Sequence, residues 1–280
     1  MSDRVPDIRR ITEKARDMRR HIVRMTHASK TAHVASALSC ADILATLYFG
    51  VMHVDPARPH MPERDRFILS KGHACLALYA ALAEKGYFPK ERLLSFNRFG
   101  CELGGHPDMR SIPGVEVSSG SLGHGLSLGL GMAIAARYDR RQSRVFVLLG
   151  DGECEEGSVW EAVMAAPHFK ADNLIVIIDN NGLQILDSVE NTLSTLQPLA
   201  EKFRAFGWET VETDGHDIQG LANLLSSVPC AAGKPTCVVA RTIKGRGISF
   251  MEGRLEWHYR GLTDAELRQA LGEIQDSIDA

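Results

Sequence analysis

The 280-residue chain is 44% apolar, 24% charged and close to neutral, with a formal net charge of −3. That is enough apolar material for a large buried core. It leaves no basic surplus for nucleic acid, no acidic disordered tail, and no apolar run near the roughly 18 residues that would span a bilayer. The N-terminal stretch MSDRVPDIRRITEKARDMRR is charged from the outset and does not read as a signal peptide. Cys40, Cys75, Cys101, Cys154, Cys230 and Cys237 are scattered without a CxxC pair. Free thiols in a reducing, cytoplasmic setting are therefore expected.

Helical periodicity marks residues 8–25, 39–51 and 74–85, with a β-rich run at 66–69 before the third. Residues 115–117 read as a short strand, 122–138 as a helix, 145–149 as a strand, 158–169 as a helix and 174–178 as a strand. A helix at 197–206, a strand at 209–213, a helix at 217–227, a strand at 236–240 and a last helix from Thr263 complete the pattern. Strands that alternate with helices and read as near-continuous apolar runs predict an α/β fold: a doubly wound parallel sheet with helices on both faces. No repeat, linker or low-complexity tract divides the chain, so one domain over residues 1–280 is expected.

Two strands end in unusual loops. The first closes on Gly150-Asp151-Gly152 and the second on Asp179-Asn180-Asn181-Gly182. Ligands of open α/β sheets gather outside the carboxyl ends of the strands, so both loops fall on the functional edge. No GxxxxGK[ST] is present, and LGHGLSLGLG lacks the GxGxxG spacing. A calcium-binding EF-hand loop begun at Asp151 fails as well, because Glu156 and Ala162 stand where glycine and glutamate belong. One helix and one strand separate Asp151 from Asn181, the length of a βαβ crossover, so the two loops can be neighbours. The Asp151 carboxylate, the Asn181 amide oxygen and a backbone carbonyl just beyond would offer three oxygens to a hard divalent cation, leaving phosphate and water to complete its shell. Glycines let the main chain approach, and the helix opening near Gly157 points N–H groups at an anion. A diphosphate held through a metal needs no lysine in this loop.

GDG, an interval of about thirty residues, then NN at the end of an apolar strand resembles the thiamine diphosphate signature. Further motifs from about Arg20 to Leu262 resemble the transketolase family, specifically its N-terminal, diphosphate-binding half. That resemblance implies thiamine diphosphate with Mg2+ or Ca2+ as cofactors. It also implies Asp151, Asn181 and the Leu183 carbonyl as metal ligands.

In RFILSKGHACLALYA, similarity to the family's LSxGH motif places His73 against the diphosphate or the reacting centre, with Lys71 beside it as a further cofactor residue. His33 in KTAHVASALSC, His106 in LGGHPD and His258 in KGRGISFMEGRLEWH fall where the family has substrate-contacting histidines. The resemblance gives Gly120 and Leu122 of SGSLGHGLSLGLG, together with Gly152, Asn181 and Lys244, to the cofactor. Glu156 matches a family glutamate near the subunit interface and is grouped with the cofactor residues; a helix-start carboxylate explains it equally well. Gln184 is expected within reach of the cofactor. Imidazoles donate or accept protons near neutrality, which suits a ketose with several hydroxyls and a carbonyl to polarise. His21, His53, His60, His168 and His216 read as surface or helix residues, while His27 and His124 stay unassigned.

The resemblance implies transfer of a two-carbon ketol unit from a ketose (phosphate) donor to an aldose acceptor. Family members also need a pyrimidine-binding domain, and the chain shows no second α/β pattern before Ala280. A separate C-terminal subunit, with two copies of each chain, is therefore expected. One departure stands beside the substrate: His33 runs into Val34-Ala35-Ser36, where the family has glycine or Pro-Gly. Two other readings stay open at this point, a decarboxylating acyl transfer from a 2-keto acid and a non-catalytic cofactor-binding scaffold.

Overall fold

A computed structural model of the chain describes residues 6–30 and 33–276. The chain opens with α1, Ile8–Ser29, whose first turn is capped by the Asp7 carboxylate accepting from the Arg10 N–H at 3.1 Å. Ile11, Ala15, Met18, Ile22 and Met25 form its buried stripe, three or four residues apart. Two short helices follow, α2 (Val34–Ser39) and α3 (Ala41–Thr46), and the latter runs into a π-turn at Leu47–Val51. The sequence predicts one helix over 39–51. The chain instead starts helical at Val34 and breaks at Cys40, whose φ of −103° and ψ of 9° leave the helical basin.

Strand β1 (Arg66–Leu69) leads to α4 (Cys75–Lys85) and, after a long loop, to α5 (His124–Tyr138). Next come β2 (Val145–Gly150), α6 (Gly157–His168) and β3 (Leu174–Asn180). Helices α7 (Val189–Leu193) and α8 (Leu199–Ala205) precede β4 (Glu209–Asp214). Helix α9 (Ile218–Ser226), β5 (Thr236–Arg241) and α10 (Asp264–Asp276) finish the described chain.

The five strands pair in parallel in the order β1-β2-β3-β5-β4. Their side chains divide between two cores with the period of two that a pleated strand imposes. Phe146, Leu148, Ile175, Ile177, Val238 and Ala240 face a core built with α1, α3, α4, α9 and α10. Val147, Leu149, Val176, Ile178, Cys237 and Val239 face the other, built with α5, α6 and α8. The expected doubly wound sheet with both faces covered is what forms.

Residues 115–117 are a correction: they bend through the loop before α5 and join no strand. Val115 packs into the first core and Val117 into the second. Between them the Glu116 carboxylate takes the Arg64 and Arg66 guanidiniums. Alternation here reflects a loop pinned at three points. All six cysteines are free, four of them buried, with Cys101 partly covered and Cys230 exposed. Among the described residues no helix is long and apolar enough to cross a membrane.

Candidate active site

Register sets the site. Gly150 pairs with Asp179 and Asn180 with Arg241, so the loops after β2, β3 and β5 leave the sheet side by side. Beneath them lies a closed polar floor. Asp179, fully buried, accepts from Ser39 Oγ at 2.6 Å and also from Thr242 Oγ1 and the Lys71 ammonium. Lys71 Nζ donates in addition to the Ser36 carbonyl at 3.0 Å. Burial works against the charge on Asp179, but Lys71 and the two hydroxyls outweigh it and hold the carboxyl below the usual range. Lys71 therefore sits in the floor of the site, on Asp179.

Glu153 ties the neighbouring loops together. Its carboxylate accepts from Ser70 Oγ, from the Gly123 N–H at 2.9 Å and from the Gly150 N–H at 3.1 Å, while Ser70 Oγ takes the Gly125 N–H at 3.1 Å. Gly123, at φ +80°, admits no side chain, because a Cβ would stand 2.6 Å from Glu156 Cβ.

Above the floor, Asp151 is buried and accepts from the Gly152 N–H at 2.8 Å and from the Gly182 N–H. Burial, then the nearby Asp179, push its carboxyl up to about 6. Asn181 Oδ1 accepts from the Leu183 N–H at 3.1 Å, and its amide nitrogen donates to Ser39 Oγ at 3.1 Å. The Leu183 carbonyl accepts from the Lys244 ammonium at 2.8 Å. Burial, then Lys71, draw that ammonium down to about 8. Asp151, held toward its neutral form by burial and Asp179, fits an added positive charge, and Lys244, drawn down by burial and Lys71, fits an added negative one. The donors are all oxygens, which suits a hard divalent cation. Among the described residues no three His, Cys, Asp or Glu side chains form a metal cage. Such an ion would rest on one carboxylate, one amide and one carbonyl.

Lys244 Nζ also donates to His258 Nδ1 at 2.8 Å, which leaves the imidazole proton on Nε2. His258 belongs to a cluster with His33 and His73, with ring centroids 5.0 Å (His33–His73), 5.3 Å (His33–His258) and 5.7 Å (His73–His258) apart. Burial, then His106 and Lys244, lower His33 to about 4, and burial, then Lys244, His33 and Lys71, lower His258 to about 3. His73 also lies well below its ordinary value, chiefly through burial and Lys71. The neutral form is thus favoured in all three rings, and His258, whose Nδ1 already accepts from Lys244, is left with its Nε2–H to donate.

His106 is exposed and overhangs Gly120, where a Cβ would come 3.3 Å from His106 Cδ2. The Leu122 carbonyl is bonded to His124 Nδ1 at 3.0 Å. Gly152 lies beside Gln184, whose amide donates to Glu155 at 2.8 Å. Glu156 is exposed at the start of α6; its N–H donates to the Glu153 carbonyl at 3.1 Å, and among the described residues its carboxylate makes no hydrogen bond.

Sequence reading missed the floor: Ser39, Ser70, Glu153, Asp179 and Thr242. A carboxylate at the end of the apolar run LIVIID was the available signal, since a buried charge must be paired. His216, read as a surface or helix residue, instead bridges. Its Nδ1 meets Asp42 at 2.8 Å, its Nε2 accepts from the Ile243 N–H at 2.8 Å, and its side chain is 9% exposed. His27 Nε2 pairs with Asp264 at 2.7 Å, and His21 with Glu84 at 2.8 Å.

Known proteins share this arrangement of sheet and loops. The family described as "Transketolase, thiamine diphosphate binding domain" matches residues 11–274. An apulose-4-phosphate transketolase subunit from Phocaeicola vulgatus is 40% identical over 93% of this chain and 92% of its own. The 6-deoxy-6-sulfo-D-fructose transketolase subunit SqwG of a Clostridium species is 44% identical over 87% of this chain and 88% of its own. Among solved structures, the transketolase of Campylobacter jejuni superposes with a TM-score of 0.89 at 29% identity, over 95% of this chain and 43% of that one. The transketolase of Leishmania mexicana gives 0.88 at 30% identity, over 95% of this chain and 41% of that one. The chain thus spans about two fifths of the solved transketolases it matches. By the matched domain and these identities, the chain belongs to the transketolase family, as its thiamine diphosphate-binding domain.

Proposed function

We propose that this chain is the N-terminal subunit of a two-chain transketolase, dependent on thiamine diphosphate and a divalent cation, magnesium or calcium. It moves a two-carbon ketol unit from a ketose or ketose phosphate to an aldose. A C-terminal subunit supplies the pyrimidine-binding domain, two copies of each chain assemble, and the setting is cytoplasmic. The relatives that match end to end carry "subunit" in their names, which supports a divided enzyme.

One observation carries the reading. The oxygen trio of Asp151, Asn181 and Leu183 runs through Lys244 to the neutral imidazoles of His258, His73 and His33 without a break. Cation, diphosphate and reacting carbon then have adjoining places. Asp151, Asn181 Oδ1 and the Leu183 carbonyl hold the cation. Gly152, Gly120 and Leu122 give main-chain approach to the cofactor. Lys244 balances charge beside the diphosphate, and Lys71 does so from below through Asp179. When bound, thiamine diphosphate supplies the nucleophilic carbon that accepts and returns the two-carbon fragment. His33, His106 and His258 bind the hydroxyls of the sugar, and a neutral imidazole takes a hydroxyl proton as a C–C bond opens and returns it as the new bond closes. Charged imidazoles could not accept that proton, so the burial that lowers His33 favours the task, while His258, whose Nδ1 already accepts from Lys244, offers its Nε2–H to a hydroxyl.

The test is co-expression with the candidate C-terminal chain, followed by assay of a ketose phosphate with an aldehyde against pyruvate with the same aldehyde. Ketol transfer from the ketose is expected, together with a mass for two copies of each chain. Product from pyruvate alone would replace the reading with a decarboxylating acyl transfer. Inactivity with both, cofactor bound, would leave a scaffold.

A further inference from the structure

The chain of site groups ends in an aromatic side chain that no hydrogen bond of the site employs. Tyr259 directly follows His258, and its ring centroid lies 4.7 Å from that of His33, tilted by 53°. The residue is 56% exposed, and among the described residues its hydroxyl makes no hydrogen bond. An exposed tyrosine on a loose loop would mean little. This one is anchored on both sides. Trp257 is buried against Phe250 with ring centroids 5.2 Å apart, and the Arg260 guanidinium lies 4.0 Å over the Trp257 ring while pairing with Glu266 at 2.8 Å. Gly261 packs so closely on the main chain before His33 that a Cβ there would stand 2.3 Å from the Lys30 carbonyl.

Order along the edge gives the residue its role. The oxygen trio leads to Lys244, Lys244 to His258, His258 to His33, and His33 to Tyr259. Tyr259 thus lies against the imidazoles and, among the described residues, bonds to none of the oxygen trio. On the ketol-transfer reading, a substrate whose two leading carbons react among the imidazoles has this ring within reach of its remaining carbons. The neighbouring cations are committed: Lys244 to Leu183 and His258, Arg260 to Trp257 and Glu266. What remains there is a flat apolar face with one free hydroxyl.

We propose that Tyr259 is a specificity-determining residue that recognises the hydroxylated carbons of the sugar beyond the transferred pair. The ring covers their C–H face, and the phenol hydroxyl bonds one distal hydroxyl. This role rests on the ketol-transfer reading above. A site group that bonds a substrate hydroxyl discriminates against the analogue lacking it.

The test uses the complex assembled with its C-terminal chain, and compares ketose donors with and without a distal hydroxyl. In Tyr259→Phe, kcat/KM should fall about five- to tenfold for the hydroxylated donor, mainly through KM, and stay unchanged for the deoxy donor. Tyr259→Ala should lower both long donors and spare the shortest ketol donor. The dissociation constant for thiamine diphosphate, read by fluorescence quenching, should not move in either variant. Equal losses with every donor, or weaker cofactor binding, would overturn the proposal in favour of a purely structural support for His33. A wild-type complex inactive on all ketoses would instead overturn the transfer reading, a different result from an active wild type whose Tyr259→Phe variant ignores the missing hydroxyl.

Discussion

At one sheet edge, Asp179, Lys71 and Glu153 lie under the site, and His106, Gly120 and Tyr259 lie around its opening. The buried groups satisfy one another: Asp179 has four side-chain donors, from Ser39, Lys71, Thr242 and Asn181, and Glu153 two N–H groups and a hydroxyl. Around the opening, Tyr259 has a bare hydroxyl and His106 stands exposed over a glycine. Between the two levels, Asp151 and Lys244 are buried and hydrogen-bonded only to uncharged groups among the described residues, and both are shifted toward their neutral forms. Polar groups that serve the fold are saturated from within the chain. Those kept for a ligand are left under-satisfied, and the shortfall grows from the floor to the centre of the site.

The contrast breaks most sharply at the floor. Lys71→Met would strand the Asp179 carboxylate in the interior, at a cost of about 3–5 kcal/mol in unfolding free energy. Urea denaturation of the isolated chain measures it. A loss below about 1 kcal/mol would mean that the pair is open to water and that Lys71 is free to meet a ligand.

Asp151→Asn should act in the opposite direction. A carboxyl raised from 3.8 to about 6 is stabilising to the fold only while protonated. Stability is therefore lost as pH rises from about 4 to about 6 and stays lost above. In the cation-free chain, Asp151→Asn should raise stability by about 2–3 kcal/mol at pH 8 and by almost nothing below pH 4. The same variant should lose divalent-cation binding by calorimetry. For the wild type, added cation should raise Tm more at pH 8 than at pH 5, since protonation and metal compete for one carboxylate. A variant less stable at pH 8 would show that Asp151 is held by its two N–H donors and carries no strain.

These layers differ in how far they can be read before folding. Gly150-Asp151-Gly152 and Asn180-Asn181-Gly182 stand out because apolar strands of similar length end in turn residues, and the parallel register then aligns them. The histidines are individually mute; only their motif contexts single them out, and no local pattern brings His33 beside His258. The floor is less legible still. Ser39 meets Asp179 across 140 positions, and hydroxyls are too common to flag a partner at that distance. Residues 115–117 misled because alternating Val-Glu-Val has a strand's period, while the two arginines on Glu116 hold it in a loop. Tyr259 gives no signal in the sequence, since an aromatic after a histidine acquires meaning only from the ring it touches.

The smallest change in stability is expected at the opening. His106 is exposed, and its side chain overhangs Gly120 without a hydrogen bond from the ring among the described residues. His106→Gln should alter unfolding free energy by no more than about 0.5 kcal/mol. In the assembled complex it should lower kcat/KM for a ketose about tenfold, the worth of one substrate hydrogen bond, while binding of the cofactor stays unchanged. The pairing of those two numbers is what matters. Losing a kilocalorie or more of stability would place His106 with the saturated groups of the floor, whereas unaltered kcat/KM would remove it from the substrate's path and leave His33 and His258 to bind the hydroxyls.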